Sequence, residues 1–159
     1  MSPLQFAAAA IISYLGLLAG FFLASLTKEE LPTARKYFPW LQRLIIIAIA
    51  AFVLDFFSIN LTLRIVIYAL LLLAVAVSLN LQFFYAAFGV LLFAASRDKN
   101  MLLVLSSMVF LFGLLSGSVY FDSRVKRKSA AHGEALKLLI SNASSVVIAM
   151  VLFLVFNYV

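Results

Sequence analysis

The sequence has no cysteine, a single histidine and few charged residues, which make up 11% of the chain. The lack of cysteine excludes disulfides, thiolate metal sites and cysteine nucleophiles, and it leaves the redox compartment open. The low charge excludes an ordinary soluble domain, in which about a quarter of the residues are charged. With 66% hydrophobic residues and a mean hydropathy of +1.17, the chain belongs in a membrane.

The apolar runs also lack the alternation of polar and apolar residues that a membrane-spanning barrel strand requires. Continuous apolar runs are typical of helices, which satisfy all their backbone hydrogen bonds within one segment. The 159 residues leave no room for a second, soluble domain. The sequence therefore predicts a single all-α domain, a polytopic transmembrane helix bundle.

Six apolar segments are separated by polar or basic turns. A helix rises 1.5 Å per residue, so about 20 residues cross the ~30 Å hydrocarbon core. The fourth segment is short, but joining it to the third would give one helix of ~54 Å, so Asn80 and Gln82 mark a tight reversal. The predicted helices cover residues 4–26, 40–57, 61–79, 81–96, 101–121 and 130–158.

Basic residues cluster in the loops 27–39 and 122–130. Six alternating helices put both loops on one side, whereas five would separate them. The positive-inside rule makes that side cytoplasmic, so we expect both termini outside and a multi-pass protein of the cell membrane. We expect the basic residues behind the net charge of +6 to contact anionic lipid headgroups or an acidic partner, and we expect no binding of nucleic acid. The predicted contact residues are Lys28, Arg35, Lys36, Arg124, Lys126, Arg127 and Lys128.

Two Gly-x-x-x-Gly motifs occur in predicted spans, Gly16 with Gly20 in the first helix and Gly113 with Gly117 in the fifth. This spacing puts both glycines on one helix face, where another backbone can approach closely. We expect these faces to pack helices together inside one bundle. A homo-oligomeric interface and a glycine-lined substrate path are the alternatives.

The two glycine-containing helices run in the same direction in this topology, and a basic loop and another helix follow each of them. The first and last helical hairpins can therefore be parallel repeats about an axis along the membrane normal. A chance match of a short Gly- and Leu-rich sequence is the alternative.

Ionisable side chains inside a membrane are costly, so each is a functional hypothesis. Asp55 is the only carboxylate inside a predicted span, close to its outer end, and Arg64 begins the next helix at a similar depth. We expect an interfacial ion pair that fixes the hairpin. An outer gate or an ion-binding carboxylate is the alternative.

Polar residues also occur in the fourth and sixth spans, including Gln82 and Asn142. Such groups commonly form hydrogen bonds between helices. The alternative is a polar cavity between these two helices, to which Tyr14 and Tyr68 would add hydroxyl groups.

The sequence contains none of the usual signs of an enzyme. The single histidine, His132, lies next to a loop, and there is no carboxylate pair at one depth, no metal-ligand cluster and no phosphate-binding glycine loop. We therefore predict no enzyme and no cofactor. A non-catalytic membrane subunit, scaffold or assembly factor accounts for the pattern. The alternative is a small transporter or channel that works as a helix bundle or a homo-oligomer.

A cavity would distinguish these two functions. A continuous hydrated path lined by Asp55, Tyr68, Gln82 or Asn142 would favour transport. Dry contacts in which these side chains satisfy one another would favour a structural role.

Overall fold

The computed structural model describes residues 2–27, 36–77, 81–124 and 131–158. Every regular element in these ranges is an α-helix, which confirms the all-α prediction. The six predicted helices are present, although Ala143 interrupts the last one. The helical segments are α1 Pro3–Leu26, α2 Phe38–Phe56, α3 Leu61–Val77, α4 Leu81–Ala95, α5 Lys99–Arg124, α6 Ala131–Asn142 and α7 Ser144–Tyr158.

Four helical stretches are long and apolar enough to cross a membrane. α4 has only 15 residues, which is ~22 Å of helix and less than a full hydrocarbon core. The bundle of apolar helices agrees with a membrane protein. The four spanning stretches are Pro3–Leu26, Phe38–Phe56, Lys99–Ser123 and Ala135–Phe156.

The first two helices begin where a cap or a proline permits. The Ser2 side chain accepts a hydrogen bond from the Gln5 backbone, and the Gln5 side chain accepts one from the Ser2 backbone, which forms a capping box. α2 begins at Phe38, two residues before the predicted start. Pro39 occupies the first turn of α2, where its missing N–H costs no helical hydrogen bond.

α5 is longer than predicted at both of its ends. One carboxylate oxygen of Asp98 accepts hydrogen bonds from the backbone of Asn100 and Met101, at 2.8 and 2.9 Å. This side chain caps the helix, so α5 begins at Lys99 instead of two residues later. At the other end, α5 runs to Arg124, so the first residues of the predicted basic loop are helical.

α1 and α5 pack along most of their length and run in the same direction. Gly16 lies against the backbone of Phe110, and further along, the rings of Phe21 and Phe121 meet edge to face with their centroids 5.2 Å apart. The contact positions advance together along both helices, as parallel helices require. This pair forms the centre of the bundle.

The last helix packs antiparallel on α1. The hydroxyl of Tyr14 donates a hydrogen bond to the carbonyl of Leu139, and the rings of Phe6 and Phe153 stack with centroids 4.4 Å apart. The start of α1 therefore lies beside the end of the last helix, and a later part of α1 lies beside an earlier part of that helix. These directions are the ones that alternating spans require.

α2 packs on α5, and α6 with α7 packs on α1. The helix that follows α1 therefore packs on α5, and the helix that follows α5 packs on α1. A duplication that gave rise to the two hairpins stays a prediction.

α4 completes the core between α5 and α7. Tyr85 and Phe88 of α4 are buried and pack against Phe112 of α5, with ring centroids 6.0 and 5.1 Å apart. Gly89 faces the opposite side, where it lies against the backbone of Ser145 in α7. α4 is thus fixed on two sides, although it is the shortest of the apolar segments that precede α5.

α3 lies at the periphery and packs mainly on α2. In its part with described side chains, residues 61–71, every side chain is exposed or half-buried. Ile65 and Leu70, for example, are 61% and 62% exposed. Residues 61–71 of α3 therefore contribute little to the core.

Candidate functional site

The four motif glycines lie at the α1–α5 contact. A Cβ atom on Gly16 would overlap the carbonyl of Phe110, and one on Gly20 would overlap the carbonyl of Leu114. Gly113 likewise leaves only 2.8 Å between its Cβ position and the backbone nitrogen of Leu17. The two Gly-x-x-x-Gly faces therefore meet each other within one chain.

This contact is reciprocal. Gly20 lies against the backbone of Leu114, and Gly117 lies against the backbone of Leu17, which is the equivalent position in the other motif. The hydroxyl of Ser118 adds a hydrogen bond across the interface to the carbonyl of Gly20, at 3.0 Å. Backbone therefore fills the space between α1 and α5, where a solute path lined by these glycines would have to run.

Asp55 and Arg64 form the ion pair that the sequence predicted at the α2–α3 turn. Arg64 also donates a hydrogen bond from Nε to the carbonyl of Ile59, at 2.7 Å, so it connects both sides of the turn. The Asp55 side chain is 71% exposed. The pair lies at the surface of the bundle and fixes a hairpin.

The other two predicted polar residues, Gln82 and Asn142, lie on other helices. Gln82 is exposed in the first turn of α4, and Asn142 is buried at the end of α6, 2% exposed. Asn142 donates hydrogen bonds to the carbonyl of Leu138 and the hydroxyl of Ser141, at 2.9 and 3.0 Å. Three of the residues proposed to line a hydrated path, Asp55, Gln82 and Asn142, therefore lie in three different surroundings.

The last helix is interrupted at Ala143, inside the bundle. The backbone N–H of Ala143 donates to Ile140 at 3.4 Å instead of reaching one residue further back, to Leu139. This leaves the carbonyl of Leu139 to accept the hydrogen bond from Tyr14 of α1. A side chain from another helix thus replaces a missing helical hydrogen bond.

Three buried polar atoms, one each in α4, α6 and α7, have no hydrogen-bond partner within the described part of the chain. They are the hydroxyl of Tyr85, the side-chain oxygen of Asn142 and the hydroxyl of Ser144. Tyr85 is fully buried, and its ring meets that of Tyr14 edge to face at 6.1 Å. Unpaired polar groups inside a bundle are costly, so each of these three atoms is a candidate hydrogen-bond partner for a small polar ligand or water.

A cavity of about 320 Å³ lies among α2, α4 and α5. Gln42 and Ser116 form a hydrogen bond of 2.9 Å in its wall, and Tyr120 and Ser123 line it closer to the end of α5. The remaining wall is apolar and comprises Pro39, Leu81, Phe84, Phe112 and Val119. None of the four residues expected to line a transport path belongs to this wall.

The cavity lies at the end of the bundle where α2 and α4 begin and α5 ends, which we call the basic end after Lys36 and Arg43. The Lys36 ammonium lies 5.0 Å from the ring centre of Tyr37, and the Arg43 guanidinium lies 5.9 Å from that of Trp40. These cation–π pairs keep the charges beside exposed aromatic rings.

The other predicted headgroup contacts cannot be located in the same way. Lys28, Arg35 and residues 126–128 lie outside the described ranges, and Arg124 is described only as part of the α5 backbone. Within the described ranges, no group of three or more His, Cys, Asp or Glu residues could hold a metal ion.

No family model, curated protein or solved structure matches this chain. Its function must therefore be argued from its own geometry.

Sequence reasoning did not identify the cavity or the interruption at Ala143. Gln42 offered one signal, since it is a polar residue one turn after Pro39 inside an apolar span. The three unpaired polar atoms offered none, because their burial depends on how α4 packs against the last hairpin.

Proposed function

We propose that the protein is a non-catalytic, multi-pass subunit or scaffold of the cell membrane, with both termini outside. The observation that carries this proposal is the backbone-to-backbone packing of α1 on α5. It makes the centre of the bundle solid and rigid, which suits a protein that holds others in place. The ion pair of Asp55 and Arg64 fixes the hairpin of α2 and α3. Asp55 in this pair is exposed and is therefore not a buried ionisable group.

We propose that a partner membrane protein contacts this protein through α3. Every described side chain of residues 61–71 is at least partly exposed, and α3 packs mainly on α2. The Asp55–Arg64 pair holds the start of this helix in a defined position. A membrane-embedded partner can therefore pack against α3 without disturbing the core.

Site-specific photocrosslinking in intact membranes tests this assignment. A photoreactive amino acid at Ile65 or Leu70 of α3 should give one crosslinked product of constant mass, containing an integral membrane protein identified by mass spectrometry. Leu103 of α5 is the matched control, since it is 63% exposed on a helix whose other face is in the core. Crosslinks to lipid alone from all three positions would contradict the proposal.

A small transporter or channel is the second candidate, and the interruption at Ala143 is the observation that favours it. Broken helices with unpaired polar groups inside a membrane commonly form binding sites in transporters. Flux through vesicles containing only this protein would support this candidate, especially if the change Asn142→Leu abolished the flux while the fold was retained.

A further inference from the structure

The cavity at the basic end has the dimensions of a site for one hydrocarbon chain. Its wall follows α5 from Phe112 to Ser123, about 16 Å of helix rise, and Ser123 is the residue before the end of that helix. Its volume of about 320 Å³ falls at the lower end of the range for ligand pockets, roughly 300–1,000 Å³. The cavity is partly open, so a chain can enter it from outside the bundle.

The chemistry of the wall changes along this length. At the inner end, the rings of Phe84 and Phe112 lie 6.3 Å apart, and both side chains are buried. In the middle, Gln42 donates a hydrogen bond to the hydroxyl of Ser116, which itself donates to the carbonyl of Phe112, and neither side chain carries a charge. Only near the end of α5 do Tyr120 and Ser123, which carry hydroxyl groups, join the wall. Such a gradient matches an amphiphile with its apolar tail inside and its polar head at the basic end.

The charges at this end match an anionic head. Lys36 and Arg43 flank the first turn of α2, and the carboxylate of Asp122 lies near the end of α5. The Nε atom of Arg43 is buried and has no hydrogen-bond partner in the described ranges. A guanidinium N–H of this kind is a strong donor to phosphate.

Exposed aromatic side chains fix the level of the headgroup. Tyr37 and Trp40 are 54% and 71% exposed, beside the two basic residues. Tyrosine and tryptophan favour the membrane–water interface, so the phosphate of a neighbouring lipid lies at this depth. A soluble ligand would not need the long apolar wall.

We propose that this cavity binds one acyl chain of an anionic phospholipid, with the lipid phosphate at the level of Lys36 and Arg43. The protein then carries a bound lipid as a fixed part of its basic end. This inference is independent of the partner that α3 contacts.

Native mass spectrometry of the delipidated, full-length protein tests the proposal, with phosphatidylglycerol and phosphatidylcholine of identical acyl chains as probes. The protein should bind one added phosphatidylglycerol molecule, with an affinity about tenfold higher than for phosphatidylcholine, as expected for basic side chains at an anionic headgroup. The double variant K36Q/R43Q should lose this preference and still bind one lipid. Equal binding of both lipids by the unmodified protein would overturn the anionic assignment.

Filling the cavity tests its location. Ser116→Leu places a larger side chain in the wall and should reduce lipid retention by about tenfold or more, the factor that loss of ~1.4 kcal/mol of binding free energy produces. Ser107→Leu is the matched control, because Ser107 lies on the same helix but is exposed. It should bind lipid like the unmodified protein.

Val119→Trp fills the cavity from a half-buried position and separates lipid loss from misfolding if Ser116→Leu fails to fold. A phosphatidylglycerol with a photoactivatable acyl chain should label peptides that contain residues 112–123 or 81–84. Unchanged retention in Val119→Trp, or equal labelling of the lipid-facing residues Leu103 and Leu111, would overturn the proposal.

Discussion

Single glycines decide how closely α1 and α5 approach. A Cβ atom at Gly20 would overlap a backbone carbonyl, and backbone cannot move aside as the end of a flexible side chain can. Gly133 in α6 is the opposite case, because a Cβ atom there meets nothing within 4 Å. The same residue type therefore has a packing role at one position and only a conformational cost at the other.

We expect Gly20→Ala to lower the free energy of unfolding by about 1–3 kcal/mol, the cost of overpacking a close contact. Gly133→Ala should raise it by up to about 1 kcal/mol, since alanine is the better helix former at an open position. Reversible unfolding in mixed micelles, followed by helical circular dichroism, measures both. Effects of equal sign would show that the α1–α5 contact is looser than described.

At the level of helices, the interruption at Ala143 depends on a hydroxyl from a distant part of the chain. Tyr14 supplies the hydrogen bond that the carbonyl of Leu139 lacks, whereas the hydroxyl of Tyr85 has no partner within the described ranges. The two tyrosines touch each other, so they share one environment. Removing each hydroxyl in turn compares a hydroxyl that forms a hydrogen bond with one that has no partner within the described ranges.

We expect Tyr14→Phe to destabilise the protein by about 0.5–2 kcal/mol, because it leaves a carbonyl without a partner inside the membrane. Tyr85→Phe should leave the stability unchanged or raise it by up to about 1 kcal/mol, because it removes an unpaired buried hydroxyl. Thermal unfolding in one detergent compares the two. A larger loss in Tyr85→Phe would reveal a bound water or ligand at that hydroxyl and strengthen the transport candidate.

The sequence predicted the helices well and the sites less well, for a physical reason. Long apolar runs have few alternatives in a membrane, so the existence and order of the helices follow from hydropathy alone. Asp98 falls between the predicted fourth and fifth helices, and its capping of α5 cannot be distinguished from a turn there, because a cap and a turn use the same short polar residues. The contact of Tyr14 with Leu139 and the cavity beside Gln42 arise only when separate helices pack together, so no local pattern encodes them.

At the scale of the whole molecule, orientation follows from the proposed topology. The chain has no cysteine, so each introduced cysteine reports one position. Ser2→Cys and Asn60→Cys lie at one end of the bundle and should react in intact cells with a membrane-impermeant maleimide. Lys36→Cys lies at the basic end and should react only after the membrane is opened, because positive loops remain in the cytoplasm. The reverse labelling pattern would contradict a cytoplasmic basic end.

We propose that this protein works by holding other proteins in the membrane. The decisive measurement is its mass in nanodiscs formed directly from native membranes, with all subunits identified. We predict a complex of defined stoichiometry that contains at least one other integral membrane protein and remains intact in Tyr85→Phe. A monomer or homo-oligomer without other subunits, which conducts a solute once reconstituted, would contradict the claim.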